Sequence, residues 1–115
     1  MEKIKIKRIY DEPKDSDGYR VLVDRLWPRG ISKKDAKLDE WNKEITPSPE
    51  LRKWFDHKAE RFQEFRQLYR EELMTKPKEL NRLKSLAKRE SVTLLYGAKD
   101  PEINHAVILK ELLIE

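Results

Sequence analysis

Arg25 and Arg29 bracket a tryptophan and a proline in the stretch VDRLWPRG, residues 23–30. Guanidinium groups grip phosphate or carboxylate through paired hydrogen bonds. Trp27 between them offers a flat face for a base or ring. Asp24 could orient the arginines or move a proton. A second collection lies near the C-terminus, where Tyr96, Gly97, Lys99 and Asp100 end an apolar run and Asn104 and His105 follow. Lys99 adds a flexible positive charge. Histidine changes charge near neutrality, which suits general acid–base work. Ser48, ahead of Pro49, reads as a helix start with free backbone N–H groups. The chemistry these residues suggest is the holding of a small anion, phosphorylated or nucleotide-like. Arg25, Arg29 and Lys99 would bind the charge, and Trp27 and Tyr96 would form walls. Gly30 would let backbone approach closely, Ser48 and Asn104 would add contacts, and Asp24, Asp100 or His105 would transfer a proton. Each residue also has a plainer use. Asp24 could pair with an arginine, Trp27 could be core, Ser48 and Asp100 could be helix caps, and His105 could be a surface residue.

Composition narrows the classes. The chain has 115 residues, enough for one domain with one core, expected over 1–115. It has no cysteine, which excludes disulfides and thiolate chemistry. Its two histidines, His57 and His105, are far apart, so no metal site is expected. No P-loop, GxGxxG or Ser/His/Asp pattern is present, and no cofactor is expected. Charged residues reach 42%, with 26 Lys and Arg against 22 Asp and Glu. The small positive excess permits an acidic partner but does not demand one. No apolar run approaches the roughly 20 residues of a membrane span, and the alternating N-terminus does not resemble a signal peptide. The expectation is a cytoplasmic protein that does not enter a membrane.

The elements that would position these groups can be read from periodicity. Residues 3–10 alternate, as in an amphipathic strand. Residues 11–18 form a turn-rich loop. Residues 19–25 form a second strand, continuously apolar at Val21, Leu22 and Val23 and therefore expected to be covered on both faces. Ser32 and Asp35 read as a capping box on a short helix. Residues 38–45 fit helix or strand, with a short strand ending at Thr46-Pro47 preferred. Leu51, Trp54 and Phe55 follow on the helix begun at Pro49. Residues 59–73 carry the stripe Phe62, Phe65, Leu68, Tyr69 and Leu73. Pro77 opens a helix bearing Leu80, Leu83, Leu86 and Ala87. Residues 92–96 form a strongly apolar strand. Asp100 and Pro101 then read as the cap and first residue of the last helix, which buries Ile103, Ala106, Val107, Leu109 and Leu113. His57 reads as a helix stop, and Trp41 and Trp54 as core. Helices between apolar strands predict a small α/β sandwich with a largely parallel sheet. In such sheets ligands bind beyond the carboxyl ends of the strands.

Taken together, DGYRVLVDRLWPRGISKKDAKLDEW, ITPSPELRKWFDH, FQEFRQLYREEL and TLLYGAKDPEINHAVILKELL resemble the YeaO-like proteins, the domain of unknown function 488 family. The match covers nearly the whole chain. It implies a compact α/β protein and no particular activity. On matching positions the pattern covers Asp24, Arg25, Trp27, Pro28, Arg29, Gly30, Pro47, Ser48, Tyr96, Lys99, Asp100, Asn104 and Ala106. It implies that the 24–30 loop and the Lys99-Asp100 turn weigh more in a site than Gly97 or His105.

The leading expectation is therefore a domain that binds a small anionic ligand, with catalysis left open. The alternatives are a nucleic-acid-binding module, with the basic residues of 76–89 as its footprint, and a protein-interaction domain without a small ligand. Oligomeric state is not legible.

Overall fold

A computed structural model describes residues 3–115. Among them, four strands form one sheet: β1 (Ile4–Arg8), β2 (Tyr19–Leu22), β3 (Glu40–Trp41) and β4 (Val92–Tyr96). The order across the sheet is β1-β4-β2-β3, and every neighbouring pair is parallel. The helices are α1 (Lys33–Ala36), α2 (Pro49–Phe55), α3 (Phe62–Leu73), α4 (Pro77–Arg89) and α5 (His105–Leu113). The expected α/β layering with a parallel sheet is what the chain adopts.

Alternation of side chains divides the core into two unequal parts. Val21 of β2, Val23 just beyond it, and Val92, Leu94 and Tyr96 of β4 face α2 to α5. Here Phe55 of α2 stacks on Phe65 of α3 with ring centres 4.1 Å apart, and Tyr69 continues the stack. Leu22 and Leu95 face the other way. They meet Ile9, Ala36 and the half-buried Trp27, Ile31, Leu38 and Trp41. The continuously apolar centres of β2 and β4 are thus explained by cover on both faces.

Boundaries depart from expectation where side chains compete with the backbone. The third strand stops at Trp41 rather than at Thr46-Pro47. Asn42 Oδ1 accepts from the Glu44 and Ile45 N–H groups and turns the chain away. Helix α3 begins at Phe62, after a 3₁₀ turn at Ala59–Arg61, and Leu68 lies at the exposed margin of its stripe. Ser32 caps α1 through the Asp35 N–H, and Lys37 ends it with φ +49°. The last helix starts later than expected. Asp100 accepts from Glu102 and Ile103 N–H in a local turn, and Asn104 caps α5 by accepting from Val107 N–H. Its buried face accordingly includes Ile108 and Leu112, while Val107 is only half-buried.

Residues 11–18 are more than a loop. Asp17 is buried and accepts from Lys7 Nζ at 3.0 Å and Arg20 Nη1 at 2.5 Å. Lys14 N–H also donates to it, while its own carbonyl receives Thr93 Oγ1. Arg20, also buried, donates onward to the carbonyls of Ala36 and Lys37. The Asp17 carboxylate therefore joins the loop to β1 and β2, its carbonyl reaches β4, and Arg20 carries the network on to α1. Burial pushes its pKa up, but the Lys14 N–H, Lys7 and Arg20 together outweigh burial and hold it below the ordinary value.

Removing the carboxylate strands Arg20 in the interior. Asp17→Ala is expected to cost roughly 3–5 kcal/mol in urea unfolding. The stabilisation from the lowered pKa is present above about pH 4 and is lost as pH falls through the folded value. Asp17→Asn should therefore flatten the acid limb of a stability–pH curve relative to wild type. An acid limb unchanged by that substitution would place the sensitivity elsewhere.

Candidate functional site

In the sheet, the chain leaves β2 towards α1 on one face, while it leaves β4 towards α5 on the other. Two adjacent parallel strands whose continuations diverge leave a crevice beyond their carboxyl ends. A cavity of about 250 Å³ occupies that position, lined among others by Asp24, Arg25, Thr46, Arg52, His57 and His105.

Asp24 is the hinge of this site. Its carboxylate accepts the Gly97 N–H at 2.8 Å, tying the end of β2 to the end of β4. Its other oxygen lies 3.1 Å from His105 Nε2. A Cβ at position 97 would stand 3.0 Å from the carboxylate, so glycine there is a matter of space. On the opposite face Trp41 Nε1 donates to the Asp24 carbonyl at 2.7 Å. His105 Nε2 also lies 2.6 Å from the Val23 carbonyl. A carbonyl can only accept, so Nε2 carries the proton, shared between that oxygen and Asp24. Nδ1 then holds the lone pair of the neutral ring. Tyr69 packs edge-on against the imidazole. Its hydroxyl is fully buried and its pKa raised well above ordinary, first by burial and then by Glu72 and Asp24.

Arg25 enters the cavity from the strand end. Its Nε is buried without a hydrogen-bond partner, and its Nη2 reaches the Pro47 carbonyl at a long 3.4 Å. Arg52 on α2 and His57 are exposed at the opening. Asp56 and His57 both adopt left-handed backbone, φ +47° and +54°, which is costly in a non-glycine residue. That pair of angles reverses the chain after α2 and sets His57 beside the cavity.

Four of the expected site residues therefore meet: Asp24, Arg25, Asn104 and His105. Asn104 does so while capping α5. Asp24 bonds no arginine among the described residues, which removes the expected role of orienting them. The other expected residues do not line the cavity. Trp27 packs at a steep angle on Trp41 in the second core and donates to the Ile31 carbonyl. Arg29 is exposed, and its carbonyl is engaged by Tyr10. Gly30 has φ +78° in an exposed turn, with open space where a Cβ would stand, so its role is conformational. Ser48 caps α2 and bonds Glu72. Tyr96 is buried in the main core. Lys99 and Asp100 are exposed, and the Asp100 carboxylate is engaged in its own turn. The carboxyl-end rule leads to the position of this cavity. It does not lead to Arg52 and His57, because nothing in their local pattern marks a site. Among the described residues, no three His, Cys, Asp or Glu side chains gather as a metal site, and no helix is long and apolar enough to cross a membrane.

A family model described as the inactive DUF488-N3 subclade matches residues 3–115. The chain belongs to this subclade. It is similar to the uncharacterized protein YeaO of Escherichia coli K12, 53% identical over 110 residues and 96% of each chain. It also resembles the uncharacterized protein Rv3073c of Mycobacterium tuberculosis H37Rv, 40% identical over 111 residues, 96% of this chain and 93% of the relative. No solved structure matches. The YeaO-like resemblance legible in the sequence agrees with this membership.

The tautomer of His105 is open to direct measurement. Long-range ¹H–¹⁵N correlation on the neutral ring is expected to show Nε2 protonated and Nδ1 bare. The reverse pattern would mean that the Val23 and Asp24 contacts do not hold the ring. Replacing Asp24 by Ala should leave the Gly97 N–H without its acceptor and His105 Nε2–H with the Val23 carbonyl alone, and lower stability by about 1–3 kcal/mol.

Proposed function

We propose that this DUF488-N3 domain binds a small anion in the cavity between the ends of β2 and β4. The observation that carries the reading is Arg25. A guanidinium with a buried, unpartnered Nε and one long bond has donors to offer, and a buried donor left unmet is costly. Arg52 adds a second positive charge at the opening, against the carboxylate of Asp24, which is already engaged. Phosphate and carboxylate are the groups such forks match. The subclade's description as inactive agrees with binding rather than turnover. So does Thr46 on the cavity wall, whose hydroxyl proton is given to the Lys43 carbonyl.

The nucleic-acid reading has less support. Arg82, central to the basic run of α4, is committed to Glu40 and Glu79. Burial pushes the Glu40 carboxyl up, but Arg82 with Tyr19 and Asn42 holds it below the ordinary value; Arg82 also lowers Glu79, and the two carboxylates raise the guanidinium. It removes Arg82 from any phosphate-backbone footprint.

The test is a thermal-shift series with inorganic phosphate, small dicarboxylates and nucleoside monophosphates against chloride at matched ionic strength. At about five times its Kd a ligand adds about 1 kcal/mol, several degrees in Tm for a domain of this size. The shift should vanish in Arg25→Ala and persist in Arg29→Ala, whose side chain is away from the cavity. No shift with any anion, or an equal shift in Arg25→Ala, would overturn the reading.

A further inference from the structure

Donors and acceptors are unevenly distributed around the cavity. Most donors on its inner wall are already used. His105 Nε2–H goes to Val23 and Asp24. Thr46 Oγ1–H goes to the Lys43 carbonyl at 2.7 Å. Asn104 Nδ2 donates to the Asp100 carbonyl, and its Oδ1 receives Val107 N–H. The Gly97 N–H is held by Asp24. With the imidazole neutral, what remains there is acceptors: His105 Nδ1, the lone pairs of Thr46 Oγ1, and spare lone pairs of the Asp24 carboxylate. Donors toward a ligand come from the guanidinium groups of Arg25 and Arg52, both of which line the cavity.

A simple anion satisfies only the arginine side. Placed against the inner wall it would meet lone pairs and a carboxylate, a repulsive arrangement. Resting on the anion-binding reading above, we propose that the ligand is bipolar: an anionic group for Arg25 and Arg52, and one or more hydroxyl donors for His105 Nδ1 and Thr46 Oγ1. The chemical class is the phosphate ester or carboxylate of a short polyol. The volume of about 250 Å³ lies below the usual range of about 300–1,000 Å³ for drug-sized ligands. It accommodates a few carbons and one anionic group. A whole nucleotide would leave its base outside, and Trp27, the aromatic expected to stack on that base, is committed to the second core. The acceptor-lined wall also gives discrimination. A site built to pair with a hydroxyl rejects the analogue that lacks it, because its polar groups then lose water and gain nothing.

Calorimetric titration of the full chain with three probes separates this proposal from the one beneath it. Inorganic phosphate tests the anion alone. Glycerol 3-phosphate and propyl phosphate share the anion and the three-carbon chain, and only the first carries hydroxyls. Glycerol 3-phosphate is expected to bind at least roughly tenfold more tightly than propyl phosphate. In His105→Phe, which keeps a ring against Tyr69 but removes Nδ1, that ratio should fall below about threefold. Thr46→Val gives an independent loss of one acceptor, should the histidine variant fold poorly, and should also narrow the ratio. If phosphate binds and the two esters bind equally, the bipolar ligand is wrong while the anion site stands. If the ratio survives both substitutions, the hydroxyls are read elsewhere and this assignment fails. If none of the three binds and the dicarboxylates give no thermal shift, both readings fall.

Discussion

The last strand of the chain fills the middle of the sheet. β4 is buried along its whole length and pairs with β1 on one side and β2 on the other, with Ile4 and Tyr19 both opposite Val92. Before residues 92–96 arrive, β1 and β2 have no common partner, because neither pairs with the other. Such contacts close loops of most of the chain length, and their entropy is lost before any packing offsets it. The compensation is local and apolar: Val92, Leu94 and Leu95 are inaccessible to solvent. The arrangement also decides where the cavity lies. The end of β4 supplies Gly97 beside the end of β2, which supplies Asp24, so completing the sheet and completing the cavity are one event.

Polar networks hold what the apolar core does not reach. Towards the amino end of the sheet, Asp17 gathers Lys7, Arg20 and the Lys14 backbone. At the open edge, Glu40 of the two-residue β3 binds Tyr19, Asn42 and Arg82, and Glu79 of α4 joins them. A short, charged edge offers a poor template for another strand.

Much of this architecture is legible in the residue pattern. The apolar runs 19–23 and 92–96, the stripe from Phe62 to Leu73 and the Ser48-Pro49 start all follow from periodicity and capping, and their parallel arrangement follows from the helices between them. Three of the departures share one cause. Asp100, Asn42 and Asp17 each use a short carboxylate or amide to bond nearby backbone, and several positions within a few residues offer that option equally well. Sequence cannot rank Asp100 against Asn104 as a cap without knowing which N–H groups are left unmet. The site divides the same way. Asp24, Arg25, Asn104 and His105 are legible because strand ends converge in a parallel sheet. Trp27 and Arg29 are not, because side chains leaving a loop point to either face, and only packing decides which. Arg52 and His57 come from a helix and a reversed turn that no spacing rule connects to the strands.

Asp24 is held from both faces of the sheet. Its carboxylate belongs to the cavity with Gly97 and His105, while its carbonyl is bonded by the indole of Trp41, which in turn packs against Trp27. The two tryptophans thus form an optical layer on the far side of the backbone from the cavity. A shift of the Asp24 backbone against Trp41 changes this indole hydrogen bond, and indole emission responds to such changes. The chain carries its own fluorescent gauge of the site, built from residues outside the cavity wall.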